Sequence, residues 1–159
     1  MTTFKLLFVC MGNICRSPAA EGVMRRVVLD AGLHDRVHID SAGTEDWHQG
    51  KRADARMIQA AAQRGLDLTH IARQATRQDL AEFDLVLIMD EQNRQGLLRA
   101  DPHREHQAKV RFFCEFCTRH EDREVPDPYY GGAEGFEHVL NLLEDGCEGV
   151  LAHIRSRLA

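Results

Sequence analysis

The sequence has no run approaching the ~20 consecutive apolar residues that a membrane-spanning helix needs. The apolar stretch Leu6-Leu7-Phe8-Val9-Cys10 is too short for the core of a secretory signal, and it leads into Gly12, Asn13 and Arg16. Basic excess is also missing: 20 Lys and Arg stand against 25 Asp and Glu, a formal charge of −5. That argues against a non-specific nucleic-acid binder, whose footprint is a strongly basic face. An anionic ligand must then be held by local positive potential, because the whole-molecule field does not help. Five cysteines, an odd number, do not suggest a disulfide framework; with no signal they fit free thiols in a reducing, cytoplasmic setting. No internal repeat, low-complexity stretch or linker breaks the chain.

What is present fits one globular domain over residues 1–159, with 43% hydrophobic and 28% charged residues. Phe4 to Val9 reads as a buried strand ending at a Gly-Asn turn. Ser17-Pro18 reads as a helix start, with Ser17 as N-cap and Pro18 at the first helical position. That helix should turn Ala20, Val23, Met24, Val27 and Val28 inward and stop near Gly32. Val37–Ser41 is a second strand, Arg52–Arg64 a helix closed by Gly65, and Thr76–Phe83 a short helix capped by Thr76. Asp84–Met89 is a strand whose five apolar residues suit a sheet covered on both faces. A helix over Glu91–Leu98, a fourth strand over Lys109–Phe113, a Pro- and Gly-containing loop over 120–132 and a helix over Gly135–Leu158, interruptible at Gly146 and Gly149, complete the order. Such alternation predicts a three-layer α/β fold with a parallel sheet.

The chemistry concentrates in Cys10-Met11-Gly12-Asn13-Ile14-Cys15-Arg16-Ser17, between the first strand and the first helix. Ligands of parallel sheets bind outside the carboxyl ends of strands. Backbone N–H groups of this loop and the helix N-terminus can converge on an oxyanion such as phosphate, with Gly12 easing the turn. The same donors and Arg16 would favour the thiolate of Cys10, the form that acts as a nucleophile. Arg16 offers a planar fork that lysine cannot copy. Three tasks are open to Ser17: capping the helix, donating to the Cys10 sulfur, and helping that sulfur leave. A thiolate that attacks a phosphate ester needs an acid for the departing oxygen. Asp127, in Val125-Pro-Asp-Pro-Tyr-Tyr-Gly131, is the candidate, because Pro126 and Pro128 hold its backbone stiff. Tyr129 and Tyr130 can form an aromatic wall.

V-C-M-G-N-I-C-R-S-P together with V-P-D-P-Y-Y-G resembles the low-molecular-weight protein-tyrosine phosphatases, over nearly the whole chain from about Lys5. The resemblance implies a four-stranded parallel sheet flanked by helices, with no cofactor and no metal. It implies Cys10 as nucleophile, Arg16 as phosphate clamp and Asp127 as general acid. Asn13, Ser17, Ser41 and His70 would support the loop, and Asn13 suits a left-handed conformation there. Trp47 would line the cleft with Tyr129 and Tyr130 around a phenyl ring. Ile14 stands where related protein-arginine phosphatases carry Thr, which favours phosphotyrosine. The resemblance implies that Cys15 forms a reversible disulfide with Cys10; by itself it reads equally as a buried structural thiol. The implied partner is a tyrosine-phosphorylated protein, with no nucleic acid and no membrane, for a monomer or weak homodimer.

Two further readings concern the same fold: an arsenate reductase, with Cys114 and Cys117 as a relay pair, and a non-catalytic phosphotyrosine-binding module. The first would not need the Pro-Asp-Pro-Tyr-Tyr loop, and the second would not need Cys10, Arg16 and Asp127 together. Cys114-x-x-Cys117-x-x-His120 also suggests zinc, but no second pair supplies the four ligands of a structural site.

Overall fold

A computed structural model describes residues 2–159. Four parallel strands, β1 (Phe4–Cys10), β2 (Val37–Gly43), β3 (Leu85–Ile88) and β4 (Val110–Phe112), lie in the order β2-β1-β3-β4. Five helices connect and follow them: α1 (Arg16–Asp30), α2 (Ala55–Ala62), α3 (Arg77–Glu82), α4 (Glu91–Leu97) and α5 (Ala133–Leu158). This is the three-layer arrangement expected from the alternating pattern.

Strand periodicity divides the core. Leu6, Phe8 and Cys10 of β1, with Leu85 and Leu87 of β3, pack with α1, α2 and α5. Leu7 and Val9, with Val86 and Ile88, pack with Leu80, Phe83 and Leu97 from the α3–α4 side. Successive side chains of a strand point to opposite faces, so a strand covered twice must be apolar throughout. All four residues of β3 are accordingly buried, each worth roughly 1.5–3 kcal/mol of transfer free energy as an upper figure.

Several boundaries differ from expectation for local reasons. Ser17 is not the N-cap of α1: the helix opens at Arg16 with Cys15 as its flanking residue, and no side chain caps it. Pro18 therefore sits third in the helix, where its missing N–H still costs nothing, because the first four N–H groups have no intrahelical partner. The helix α2 starts at Ala55, three residues later than read, because the Asp54 side chain accepts the Arg56 N–H as N-cap. Strand β4 is shortened by 3-10 turns at Gln107–Lys109 and Phe113–Phe116.

The long helix α5 is unbroken through Gly146 and Gly149. Neither glycine is there to bend it. A Cβ on Gly146 would lie 2.2 Å from the Phe113 ring, and one on Gly149 would lie 2.0 Å from the Phe116 carbonyl oxygen. They open a groove for the turn that follows β4. Among the described residues, no helix is long and apolar enough to cross a membrane.

Strand order places the reactive end. The chain leaves β1 toward β2 on one side, and leaves β3 toward β4 on the other. The loops after β1 and β3 thus diverge, opening a crevice at their carboxyl ends. Cys10 ends β1, and Asp90 follows β3.

Candidate active site

The loop after β1 wraps around the Cys10 sulfur. Cys10 is 2% exposed, and its Sγ accepts the Asn13 N–H at 3.3 Å. It also lies 3.0 Å from Ser17 Oγ, so of the three tasks open to Ser17 the contact is with the sulfur and not a cap. Asn13 takes the left-handed conformation expected of it, with φ 58°. Its carboxamide is fully used: Nδ2 donates to Ser17 Oγ at 2.8 Å and to Ser41 Oγ at 3.1 Å. Its Oδ1 accepts from His70 Nε2 at 2.8 Å and from the Arg73 N–H at 2.9 Å.

A second layer holds these groups. Ser41 donates to Glu21 Oε1 at 2.8 Å, and His70 Nδ1 faces the same oxygen at 3.2 Å and Asp40 at 3.6 Å. Arg73 binds Asp40 and Asp79, and Asp79 completes the capping box of α3 with Thr76. Burial would raise the Asp79 carboxyl, but Arg73 and the Thr76 N–H hold it below the usual range. Glu21, Asp40 and His70 are the one group of three potential metal ligands close enough to share an ion among the described residues. Their acceptors are already matched to Ser41, Arg73 and the His70 ring, which suits a polar support.

Arg16 is 2% exposed yet charged. Burial opposes its cationic form, and Cys10, Asp90 and Asp127 more than offset this, so its pKa is raised further. Its Nη1 donates to Asp90 Oδ2 at 2.6 Å and to the Val125 carbonyl at 3.0 Å. Its Nη2 stands 3.7 Å from Asp127 Oδ2. One edge of the guanidinium is thus anchored, and the other faces the crevice. Asp90 is also the N-cap of α4, accepting the Asn93 N–H at 2.9 Å, so one carboxylate fixes both a helix start and the arginine.

A cleft of about 270 Å³ opens above the sulfur. Met11, Gly12, Ile14, Cys15 and Arg16 line its floor, and Trp47, His48, Asp127, Tyr129 and Tyr130 its rim. Asp127 Oδ1 accepts the Tyr129 N–H at 3.1 Å, which closes a local turn. The two tyrosines meet edge to face, with centroids 5.0 Å apart at 79°, so they are not parallel walls. Tyr129 is backed by the Arg56 guanidinium 5.3 Å from its ring. Trp47 is 62% exposed and is not a core residue. Cys15 is buried, and its thiol is pushed up by burial, then by Asp54, Cys10 and Asp127. Both Cys10 and Cys15 are free thiols.

Cys114, Cys117 and His120 lie elsewhere, while the residues singled out as loop, loop support, acid and cleft converge on one site. Asp90, Glu21, Asp40, Arg73, Arg56, His48 and the Val125 carbonyl were not among them. For Asp90 a signal existed, since Asp90-x-x-Asn93 precedes an apparent helix directly after the most apolar strand. The zinc reading of Cys114, Cys117 and His120 finds no shared centre: His120 Nδ1 turns to Asp145 at 2.7 Å.

The family model described as low molecular weight phosphotyrosine protein phosphatase matches residues 5–159. A low molecular weight protein-tyrosine-phosphatase of Streptomyces coelicolor is 43% identical, over 98% of this chain and 96% of its own. A protein tyrosine phosphatase from Entamoeba histolytica, solved with Hepes in the active site, superposes with a TM-score of 0.93 at 41% identity, covering 99% of this chain and 100% of the other. A Drosophila arginine phosphatase superposes with a TM-score of 0.86 at 34% identity, covering 95% and 98%.

Proposed function

Because the chain belongs to the low molecular weight phosphotyrosine protein phosphatase family, we propose that it hydrolyses phosphotyrosine in proteins through a cysteinyl-phosphate formed on Cys10. The phosphoryl group sits in the loop, with its oxygens facing the backbone N–H groups and the free edge of Arg16. The Cys10 thiolate attacks phosphorus while Asp127 protonates the departing phenolic oxygen. A water then attacks the phosphocysteine, giving its proton to the Asp127 carboxylate, and the thiolate leaves toward the Ser17 hydroxyl. Each step moves one phosphoryl group and one proton, and the enzyme returns to its starting state. Among the loop supports, Asn13, Ser41 and His70 hold the cradle in place, so that little reorganisation is needed as charge develops.

The observation that carries this reading is the position of one sulfur. Cys10 Sγ receives the Asn13 N–H and faces Ser17, at the floor of a cleft that also contains Arg16 and Asp127. Buried side chains of Cys usually act as small hydrophobes, whereas this one is surrounded by donors.

The cleft also supports tyrosine as the substrate residue. Ile14 is apolar and close to fully buried at the floor, and Trp47 and Tyr129 add aromatic surface to the same cleft. A phosphoguanidinium would bring polar N–H groups against Ile14 with no acceptor there. The test is rapid-quench turnover of a phosphotyrosine peptide, with acid trapping of the protein. A stoichiometric acid-stable phosphoprotein, absent in Cys10→Ser and unchanged by EDTA, is expected. A parallel phosphoarginine peptide should turn over far more slowly. Turnover by Cys10→Ser near the wild-type rate would overturn the proposal.

A further inference from the structure

Cys114 and Cys117 stand apart from the loop chemistry, and both are free thiols. Cys114 lies in the 3-10 turn Phe113–Phe116, and Cys117 caps it, with its N–H bonded to the Cys114 carbonyl at 3.2 Å. A turn closed in this way keeps its first and fourth Cα atoms within about 7 Å, and the rise of a 3-10 turn puts them ~6 Å apart. Disulfides bridge Cα atoms about 4.4–6.8 Å apart. Residues three apart in a 3-10 turn also eclipse one another, so the two side chains share a side of the turn, where Cys117 Sγ donates to the Leu142 carbonyl of α5 at 3.6 Å. The turn itself is held from outside: Phe113 and Phe116 fill the groove over Gly146 and Gly149.

From this geometry we infer that Cys114 and Cys117 form a redox-active dithiol, closed to a disulfide by small hydroperoxides and reopened by dithiols, separate from Cys10. The two sulfurs are not equivalent. The Cys114 thiol is pushed well up, first by the neighbouring Cys117 sulfur and then by burial. The same proximity draws the Cys117 thiol down, against burial and the charges of Asp145 and Asp122. Cys117 is only half-buried, so a small peroxide reaches it from solvent, and Cys114 lines a neighbouring cavity of about 580 Å³ with Phe112, Glu115, His120 and Arg123.

Cys117 as thiolate attacks the O–O bond and keeps one oxygen as a sulfenic acid; the other oxygen leaves and is protonated to water or an alcohol. The Cys114 sulfur then attacks the sulfenic sulfur, and the expelled hydroxide takes the Cys114 proton as water. Two thiols lose two protons and two electrons, and one peroxide is reduced. Cys147 is the competing partner. It is fully buried in α5, and burial raises its thiol well above the usual range, so it stays protonated.

The dithiol can be read without any activity assay. The wild-type chain is exposed to hydrogen peroxide, alkylated and cut with trypsin. The fragment 112–119 then carries Cys114 and Cys117, the fragment 6–16 carries Cys10 and Cys15, and the fragment 124–155 carries Cys147. The expected result is a 112–119 fragment lighter by two hydrogens and closed to alkylation, with both thiols restored by dithiothreitol. In Cys114→Ser, Cys117 should stop at a sulfenic acid that dimedone captures. A doubly alkylated 112–119 fragment at peroxide levels that already oxidise 6–16 would overturn the inference. So would a cross-link from Cys117 to the 124–155 fragment, or direct oxidation of Cys117 to a sulfinic acid without a disulfide.

Discussion

Asp127 carries its carboxylate between two prolines, with Oδ1 held by the Tyr129 N–H and Oδ2 3.7 Å from Arg16. An acid so placed matters in proportion to how poorly the leaving group departs unaided. Asp127→Ala should slow phosphoenzyme formation by ~10²–10⁴-fold for phenyl phosphate and much less for p-nitrophenyl phosphate. An equal loss on both substrates in single-turnover measurements would move the role to another residue. Arg16→Lys retains the charge but not the fork, and one ammonium cannot hold Asp90, the Val125 carbonyl and a phosphate in the same plane. Its kcat/KM should fall by ~10²–10³-fold, the usual cost of losing an oxyanion donor; rates near wild type would remove the bidentate role. At this scale the sequence was informative about which residues the proposed chemistry uses, because a loop of eight contiguous residues carries most of them. It was silent about which edge of Arg16 is committed, since Asp90 lies 74 positions away.

At the scale of elements, the glycines of α5 were misread for an understandable reason. Glycine in a helix is costly by about 1 kcal/mol, so two of them in a helical pattern suggest a break. Only the partner explains them: the Phe113 ring occupies the space a Cβ on Gly146 would need. Gly146→Ala should therefore lower the melting temperature, by an overpacking cost of ~1–3 kcal/mol that outweighs the helical gain. A rise in the melting temperature would show that the contact is slack, and adding Phe113→Leu should recover part of the loss.

The same helix is tied to the loop after β4 by Asp145, which is fully buried. Burial would push its carboxyl up, but the Thr118, Arg119 and His120 N–H groups and the His120 ring hold it well below the usual range. A carboxyl depressed in the folded state stabilises above its unfolded pKa and loses that contribution as pH falls through the folded value. Asp145→Asn should thus be less stable than wild type at neutral pH, and the gap should narrow in acid as the wild type loses its own advantage. Urea midpoints from pH 7 downward measure it; a gap that is constant with pH would mean that the carboxylate charge contributes nothing.

For the whole molecule, the decisive feature is the divergence of the chain at β1 and β3. It brings the loop after one strand and the N-cap after the other to the same crevice, and the Arg16–Asp90 pair closes that contact. Two substitutions separate the two tasks of Asp90. Asn caps a helix as well as Asp, so Asp90→Asn should remain more stable than Asp90→Ala by the share of the cap, while its kcat falls because the buried Arg16 loses its charged anchor. Asp90→Ala should lower both, with a cap loss of about 0.5–2 kcal/mol. Thermal melts set beside steady-state rates decide this, and an Asp90→Asn enzyme with full kcat would show that the Val125 carbonyl alone orients the guanidinium.

The sequence by itself determined the alternation of strands and helices, and it displayed the loop after β1 and the Pro-flanked Asp127 that the proposed mechanism uses. Each of these is written in neighbouring residues, through hydrophobic period, backbone restriction and capping chemistry. Only the tertiary structure decided that Asp90 anchors Arg16, that Glu21, Asp40 and Arg73 brace Asn13 and His70, and that Ser17 faces sulfur instead of a helix end. Charged side chains on helices and loops look alike in a sequence whether they meet water or a buried partner. What distinguishes them is the partner, and strand order brings it there from far along the chain.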